Sequence, residues 1–161
     1  MIVFSIDPGN EQSAWCIMND KYELLGFNKQ PNREVMKEML ENLDKTDVVV
    51  IERMLNYATN VGRTTFETCE WIGRFSQEAE KKTEVDYINR KDEKMYLCGT
   101  MNANDTSIRH ALIDRFAKHD LKNGRGTKAN PDYFYGVKAD IWAAIAIATV
   151  FLDMQKENKN L

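Results

Sequence analysis

The chain has 161 residues, 43% hydrophobic and 29% charged, with a net charge of −3. That length suits one domain with a real core, and that balance is the balance of a soluble globule. The longest mostly apolar run, Ile141 to Leu152, is too short to span a bilayer. No basic segment leads into a signal-peptide core at the N-terminus, so a cytoplasmic location and no membrane partner are expected. The three cysteines, Cys16, Cys69 and Cys98, form no C-x-x-C pair, which argues against a zinc site or a disulfide framework. They are expected as small buried apolar residues. His110 and His119 form no H-E-x-x-H pair. The net charge does not announce a nucleic-acid binder, but local patches set the field that a polyanion meets. Basic residues do cluster at Lys81-Lys82, at Arg90-Lys91 with Lys94, and at Lys122, Arg125, Lys128 and Lys138.

In chain order, residues 2–6 are almost continuously apolar, as in a central strand buried on both faces. Pro8-Gly9 turns the chain. Residues 13–18 read as a second strand, Asn19-Asp20 as a turn, and residues 22–28 as a third strand, giving an antiparallel meander. Residues 33–43 form an amphipathic helix with Val35, Met36, Met39, Leu40 and Leu43 on one face. Residues 47–52 are a β-branched fourth strand, followed by a loop over 53–63. A helix from about Thr65 to Lys81 carries Phe66, Cys69, Ile72, Phe75 and Ala79 at three- and four-residue spacing. A fifth strand over 83–88, helices near 91–98 and 106–118, and a Gly/Asn-rich loop over 120–136 come next. A helix over about 139–155 completes one α/β domain with a mixed five-stranded sheet, residues 1–155, before a polar tail over 156–161.

Three acids stand at the ends of the most apolar segments. Asp7 closes Ile2-Val3-Phe4-Ser5-Ile6-Asp7, Glu52 closes Val48-Val49-Val50-Ile51-Glu52, and Asp140 opens the Ala-rich C-terminal helix. Singly, each has an ordinary explanation. Asp7 suits a turn, Glu52 suits a surface ion pair, and Asp140 suits an N-cap. Together they could converge at one edge of the sheet. Clustered carboxylates repel unless a cation neutralises them, and oxygen-only donors select a hard ion such as Mg²⁺ or Mn²⁺.

These segments resemble the RuvC family of Holliday junction resolvases, within the RNase H-like nucleases. Ser5-Ile6-Asp7-Pro8-Gly9 with Ser13-Ala14-Trp15 is similar to the family's I-D-P-G…T-G-Y hairpin, and Val50-Ile51-Glu52 to its second acidic strand. Lys94-Met95-Tyr96-Leu97-Cys98-Gly99, with Asn102-Ala103 and Ile108-Arg109-His110, is similar to V-K-x-x-V-x-G…A-x-K-x-Q-V. Asp140-Ile141-Trp142-Ala143-Ala144-Ile145-Ala146-Ile147-Ala148 resembles D-x-x-D-A-x-A-I-A. The variant loops and short length look closer to phage or low-GC bacterial members than to the longer cellular ones.

The resemblance implies an Mg²⁺-dependent endonuclease (Mn²⁺ serving as well) that cleaves four-way junctions, and other branched DNA, with two ions per active site about 3.5–4 Å apart. It assigns Asp7 as the bridging ligand, Glu52 to one ion and Asp140 to the other. The family's fourth acid falls one helical turn after Asp140, where this chain has Ala143. The surrounding residues keep the active pattern, which favours an aspartate deliberately replaced by alanine over a natural variant. An inactive junction-binding protein is therefore an alternative, as is an RNase H-like nuclease acting on RNA–DNA hybrids. An actin-like ATPase would need a second domain that this chain is too short to hold. Lys94 matches the family's basic residue and is the leading phosphate contact, with Lys138 beside Asp140. Arg90 and Lys91 rest on charge alone. Asp105 replaces a usual lysine, with Arg109 one turn later as its substitute. Met54, Leu55 and Tyr57 are candidates to stack on opened base pairs, Leu55 having the alternative of packing under the loop. A two-fold junction suits a homodimer, with Phe66, Cys69, Ile72 and Phe75 as its interface.

Overall fold

The computed structural model describes residues 1–55 and 61–161. The elements follow the expected order: β1 (Ile2–Asp7), β2 (Gln12–Asn19), β3 (Leu24–Pro31), α1 (Asn32–Asn42), β4 (Val48–Glu52), α2 (Arg63–Ala79), β5 (Glu84–Ile88), α3 (Arg90–Cys98), α4 (Asp105–Phe116) and α5 (Ile141–Lys159). A short 3-10 turn over Leu43–Lys45 joins α1 to β4. The five strands make one mixed sheet in the order β3-β2-β1-β4-β5. The β1–β2 and β2–β3 pairs are antiparallel, while β1–β4 and β4–β5 are parallel.

Side chains alternate across a sheet, so the strands supply two cores at once. Val3 of β1, Cys16 of β2 and Val48 and Val50 of β4 point to one face, where α5 covers them with Ile141, Ile145 and Leu152. Phe4, Ile6, Trp15, Val49 and Ile51 point to the other face, under Val35 and Met39 of α1 and Phe75 and Ala79 of α2. α5 reads as apolar nearly all round because it lies across the middle of the sheet, against β1 and β2, with α3 and α4 beside it.

The hairpin after β1 is tied by a small polar network. The Gly9 N–H donates to Ser13 Oγ at 3.1 Å, Ser13 Oγ donates to Asn32 Oδ1 at 2.6 Å, and Asn32 Nδ2 donates to the Gly9 carbonyl at 2.9 Å. A Cβ at Gly9 would meet the Gln12 carbonyl oxygen at 2.2 Å, so the turn admits only glycine.

Some boundaries and faces differ from the sequence expectation. β3 begins at Leu24 because Asn19 Oδ1 accepts from the Lys21 and Glu23 N–H groups, forming a turn in which Tyr22 adopts φ 61°. α5 begins at Ile141 because Ala139 sits at φ 49°, outside helical geometry, and it continues to Lys159. Of the cysteines only Cys16 is buried; Cys69 is exposed and Cys98 half-buried. The expected single stripe on α2 is split. Phe75 is fully buried against the sheet, while Phe66 is 61% exposed.

Candidate active site

The alternation that builds the core also aims the acids. Asp7 follows Val3 and Ser5 on the α5 side of β1, and Glu52 follows Val48 and Val50 on the same side of β4. Ser5 is paired with Val50 and Ile6 with Ile51, so extending that parallel register by one residue sets Asp7 beside Glu52. Asp7 and Glu52 lie within hydrogen-bond reach of each other. Burial, then the charge of Glu52 and the bond to it, push the Asp7 carboxyl well above the usual carboxylate range, with Asp140 and Glu93 adding to the effect.

α5 delivers Asp140 to the same edge. Its first turn is fastened to β1 by Ser5 Oγ, which donates to the Ala144 carbonyl at 2.7 Å. Asp140 does not cap the helix: its carboxylate makes no bond to the first-turn N–H groups. It instead accepts from Lys29 Nζ of β3 at 2.5 Å. Asp7, Glu52, Asp140 and Ala143 line one cleft of about 280 Å³, together with Arg90, Asp105, Arg109 and Trp142. Ala143 thus faces the cleft, one turn after Asp140, and offers it only a methyl group.

Two residues at this site escaped the sequence reading. Lys29 lies one residue beyond the expected end of the third strand. Glu93, on α3, is fully buried. Burial and then the charge of Glu52 push its carboxyl up to about 8, partly offset by Arg90. Its sequence signal was faint: an acid one turn before Leu97, on the side of a short helix that packs on the core.

The basic candidates spread around the cleft in distinct roles. Arg90 bonds Glu93 Oε2 at 2.5 Å and pairs with Asp105, so its charge is largely absorbed within the protein. Arg109 lies over the Trp142 ring at 4.6 Å, at the cleft wall. Lys94 and Lys91 line an adjoining groove with Glu52, Met54, Leu55 and Met101. The Lys94 ammonium reaches the Met101 carbonyl at 3.4 Å. Leu55 is 46% exposed and lines that groove. Lys138 is exposed, two residues before Asp140. Tyr57 lies outside the described residues. On α2, Phe66 and Cys69 face solvent, Ile72 is half-buried, and Phe75 belongs to the core, which removes Phe75 from any exposed interface.

The donor set is all oxygen and all anionic, which fits a hard divalent cation. Among the described residues no three His, Cys, Asp or Glu side chains close on a common point tightly enough to hold an ion. Two of the nearby carboxylates are bonded to protein cations, Asp140 to Lys29 and Glu93 to Arg90. Among the described residues no helix is long and apolar enough to cross a membrane.

No family model matches the sequence, and no curated protein matches it. Solved structures do match the fold. A Thermus thermophilus RuvC in complex with Holliday junction substrate superposes with a TM-score of 0.67 at 16% identity, covering 98% of this chain and 96% of that one. Another T. thermophilus RuvC structure gives a TM-score of 0.59 at 15% identity, covering 96% of this chain and 97% of that one. The likeness runs the length of both chains, and it establishes the fold: a RuvC-like, RNase H-type α/β domain with a mixed five-stranded sheet flanked by helices.

Proposed function

We propose that the chain is a structure-selective DNA endonuclease of the RuvC kind, acting on four-way junctions and related branches in a bacterial or phage-infected cytoplasm. The observation that carries this reading is the convergence of Asp7, Glu52 and Asp140, from three separate elements, in one cleft of a RuvC-like fold. Asp7, Glu52 and Asp140 would hold Mg²⁺ or Mn²⁺, two ions being the expected complement. When bound, such ions supply Lewis-acid activation of the phosphodiester and of the attacking water.

The chain's own residues do the positioning. Asp7, whose carboxyl feels the charge of both Glu52 and Asp140, would be the central ligand. Lys94 and Lys138 offer exposed or partly exposed ammonium groups for backbone phosphates on either side of the cleft, with Lys91 and Arg109 as further contacts. Arg90 contributes through the Glu93–Asp105 pairs more than as a free phosphate contact. Met54 and Leu55, exposed along the groove beside Glu52, suit contact with unstacked bases at a crossover, a role for which the sequence also offers Tyr57. A homodimer through the exposed face of α2 would present two clefts to two opposed strands.

A second reading is favoured by Ala143, which leaves the α5 side of the site one carboxylate short: a protein that binds junctions without cutting them. Cleavage and binding of a labelled four-way junction in Mg²⁺ separate the two, using the native chain, Ala143→Asp and Asp7→Asn. The endonuclease reading expects the native chain to cut and Asp7→Asn to bind without cutting. Cleavage by Ala143→Asp alone, with binding by all three, would establish the non-cutting reading. No preference for the junction over duplex DNA would remove both, and preference for an RNA–DNA hybrid would redirect the assignment to that substrate.

A further inference from the structure

A buried carboxylate is costly unless its oxygens are bonded and its charge is matched. Glu93 meets neither condition fully. It is 0% exposed, and only Oε2 is bonded, to Arg90 at 2.5 Å. Its other oxygen, Oε1, is buried with no hydrogen-bond partner among the described residues. Arg90 is also shared with Asp105, so it does not belong to Glu93 alone. The remaining charges that Glu93 feels are acidic ones, Glu52 foremost, and it in turn acts on Asp7. An apolar residue would pack at this place on α3 with no such penalty, as Leu97 does one turn later. Arg90, which Glu93 bonds, lines the cleft with Asp7 and Glu52, so the orphaned Glu93 oxygen is buried beside that cleft and lacks the partner that a hard cation would supply.

We propose that Glu93 supplies the carboxylate that position 143 lacks, so that Asp7, Glu52, Asp140 and Glu93 together form a four-carboxylate site for a hard divalent cation, with Glu93 Oε1 as a ligand atom. The replacement enters from α3, on the Glu52 side of Asp7, whereas residue 143 enters from α5 on the other side. The number of carboxylates is kept while their distribution shifts toward Glu52. Ala143 is then part of the native site rather than a defect in it. This inference rests on the cation-binding reading of the cleft given under Proposed function.

Binding of Mn²⁺ to the full chain in the absence of DNA tests it, read by electron paramagnetic resonance and by the rise in melting temperature that the ion confers. The variants are Glu93→Gln, Glu93→Asp, Asp7→Asn, and Glu93→Gln combined with Ala143→Asp. Glu93→Gln keeps the shape and removes a buried charge, so it is expected to fold. It should weaken Mn²⁺ binding on the order of tenfold or more. Glu93→Asp keeps the charge at shorter reach and should fall between it and the native chain. Adding Ala143→Asp to Glu93→Gln should recover affinity. Native affinity in both Glu93 variants, with Asp7→Asn weakened, would overturn the role of Glu93 and leave the cleft reading intact. No Mn²⁺ binding by the native chain, or equal binding by Asp7→Asn, would overturn the cleft reading itself and this inference with it.

Discussion

Asp7 is crowded by design. It is pushed upward by burial first, then by Glu52, Asp140 and Glu93, and Glu93 is itself pushed up to about 8. Both groups therefore hold protons in the folded protein at pH values where the unfolded chain has released them. Between the ordinary carboxylate range and about 8, the folded state binds more protons than the unfolded one, so these groups make stability fall as pH rises. Asp132 and Asp153 shift the other way, and their contribution changes only below the ordinary carboxylate range. The cation-free protein should accordingly melt at a lower temperature at pH 8 than at pH 5.5, and Mg²⁺ should recover the difference at pH 8. Calorimetry in chelator and in Mg²⁺ checks both parts. A cation-free melting temperature that holds level or rises over that range would mean the acids are not crowded as the cleft geometry requires.

At the scale of elements, Asp140 is only as well placed as the long segment before it. That segment is anchored to the core by Phe134 and Val137, and its backbone is folded around the carboxylates of Asp132 and Asp120. The Asp132 carboxylate accepts from the N–H groups of Lys118, His119, Asp120 and Tyr133, at 2.7 to 3.1 Å. Burial opposes its charge, but these four N–H groups hold it well below the usual carboxylate range. Asp120 in turn accepts from Asn123, Arg125 and Gly126. Asp132→Ala should lower the melting temperature by several degrees at neutral pH while leaving α5 helical by circular dichroism. The sign follows from linkage: the native advantage exists above the ordinary carboxylate range and disappears as pH falls through the depressed value, so the two proteins should converge only in strong acid. A gap that stayed constant into acid would assign the loss to packing instead. The strands and helices were legible in the sequence because their apolar periods are clean. Asp7 and Glu52 were legible because each ends a strand of matching parity. Glu93 and Lys29 were not, since their meaning comes from partners remote in sequence and no period encodes it. The α2 stripe misled for a geometric reason. Nine positions at about 100° each put Phe75 on the side opposite Phe66, so the two could never share a face.

At the scale of the whole molecule, that correction sharpens the question of assembly. The outward face of α2 carries Phe66, Cys69 and Gly73, all exposed. Among the described residues a Cβ placed at Gly73 would meet nothing within 4 Å, so none of them calls for glycine there. Glycine in an exposed helix interior costs about 1 kcal/mol relative to alanine. Close approach of a second helix would explain the glycine, and the same approach would cover Phe66. Under the proposed action on a two-fold junction, two clefts on opposed strands would call for a two-fold pairing, and this face is a candidate for it. The native chain should therefore sediment as a dimer, Phe66→Asp and Gly73→Arg should shift it toward monomer, and both variants should keep the native circular dichroism spectrum. Junction cleavage should then lose the coupling between its two incisions. If the native chain instead sediments as a monomer at concentrations that saturate the junction, α2 is not the interface. Gly73→Ala should in that case simply stabilise the protein by about 1 kcal/mol, the ordinary gain from replacing an exposed helical glycine.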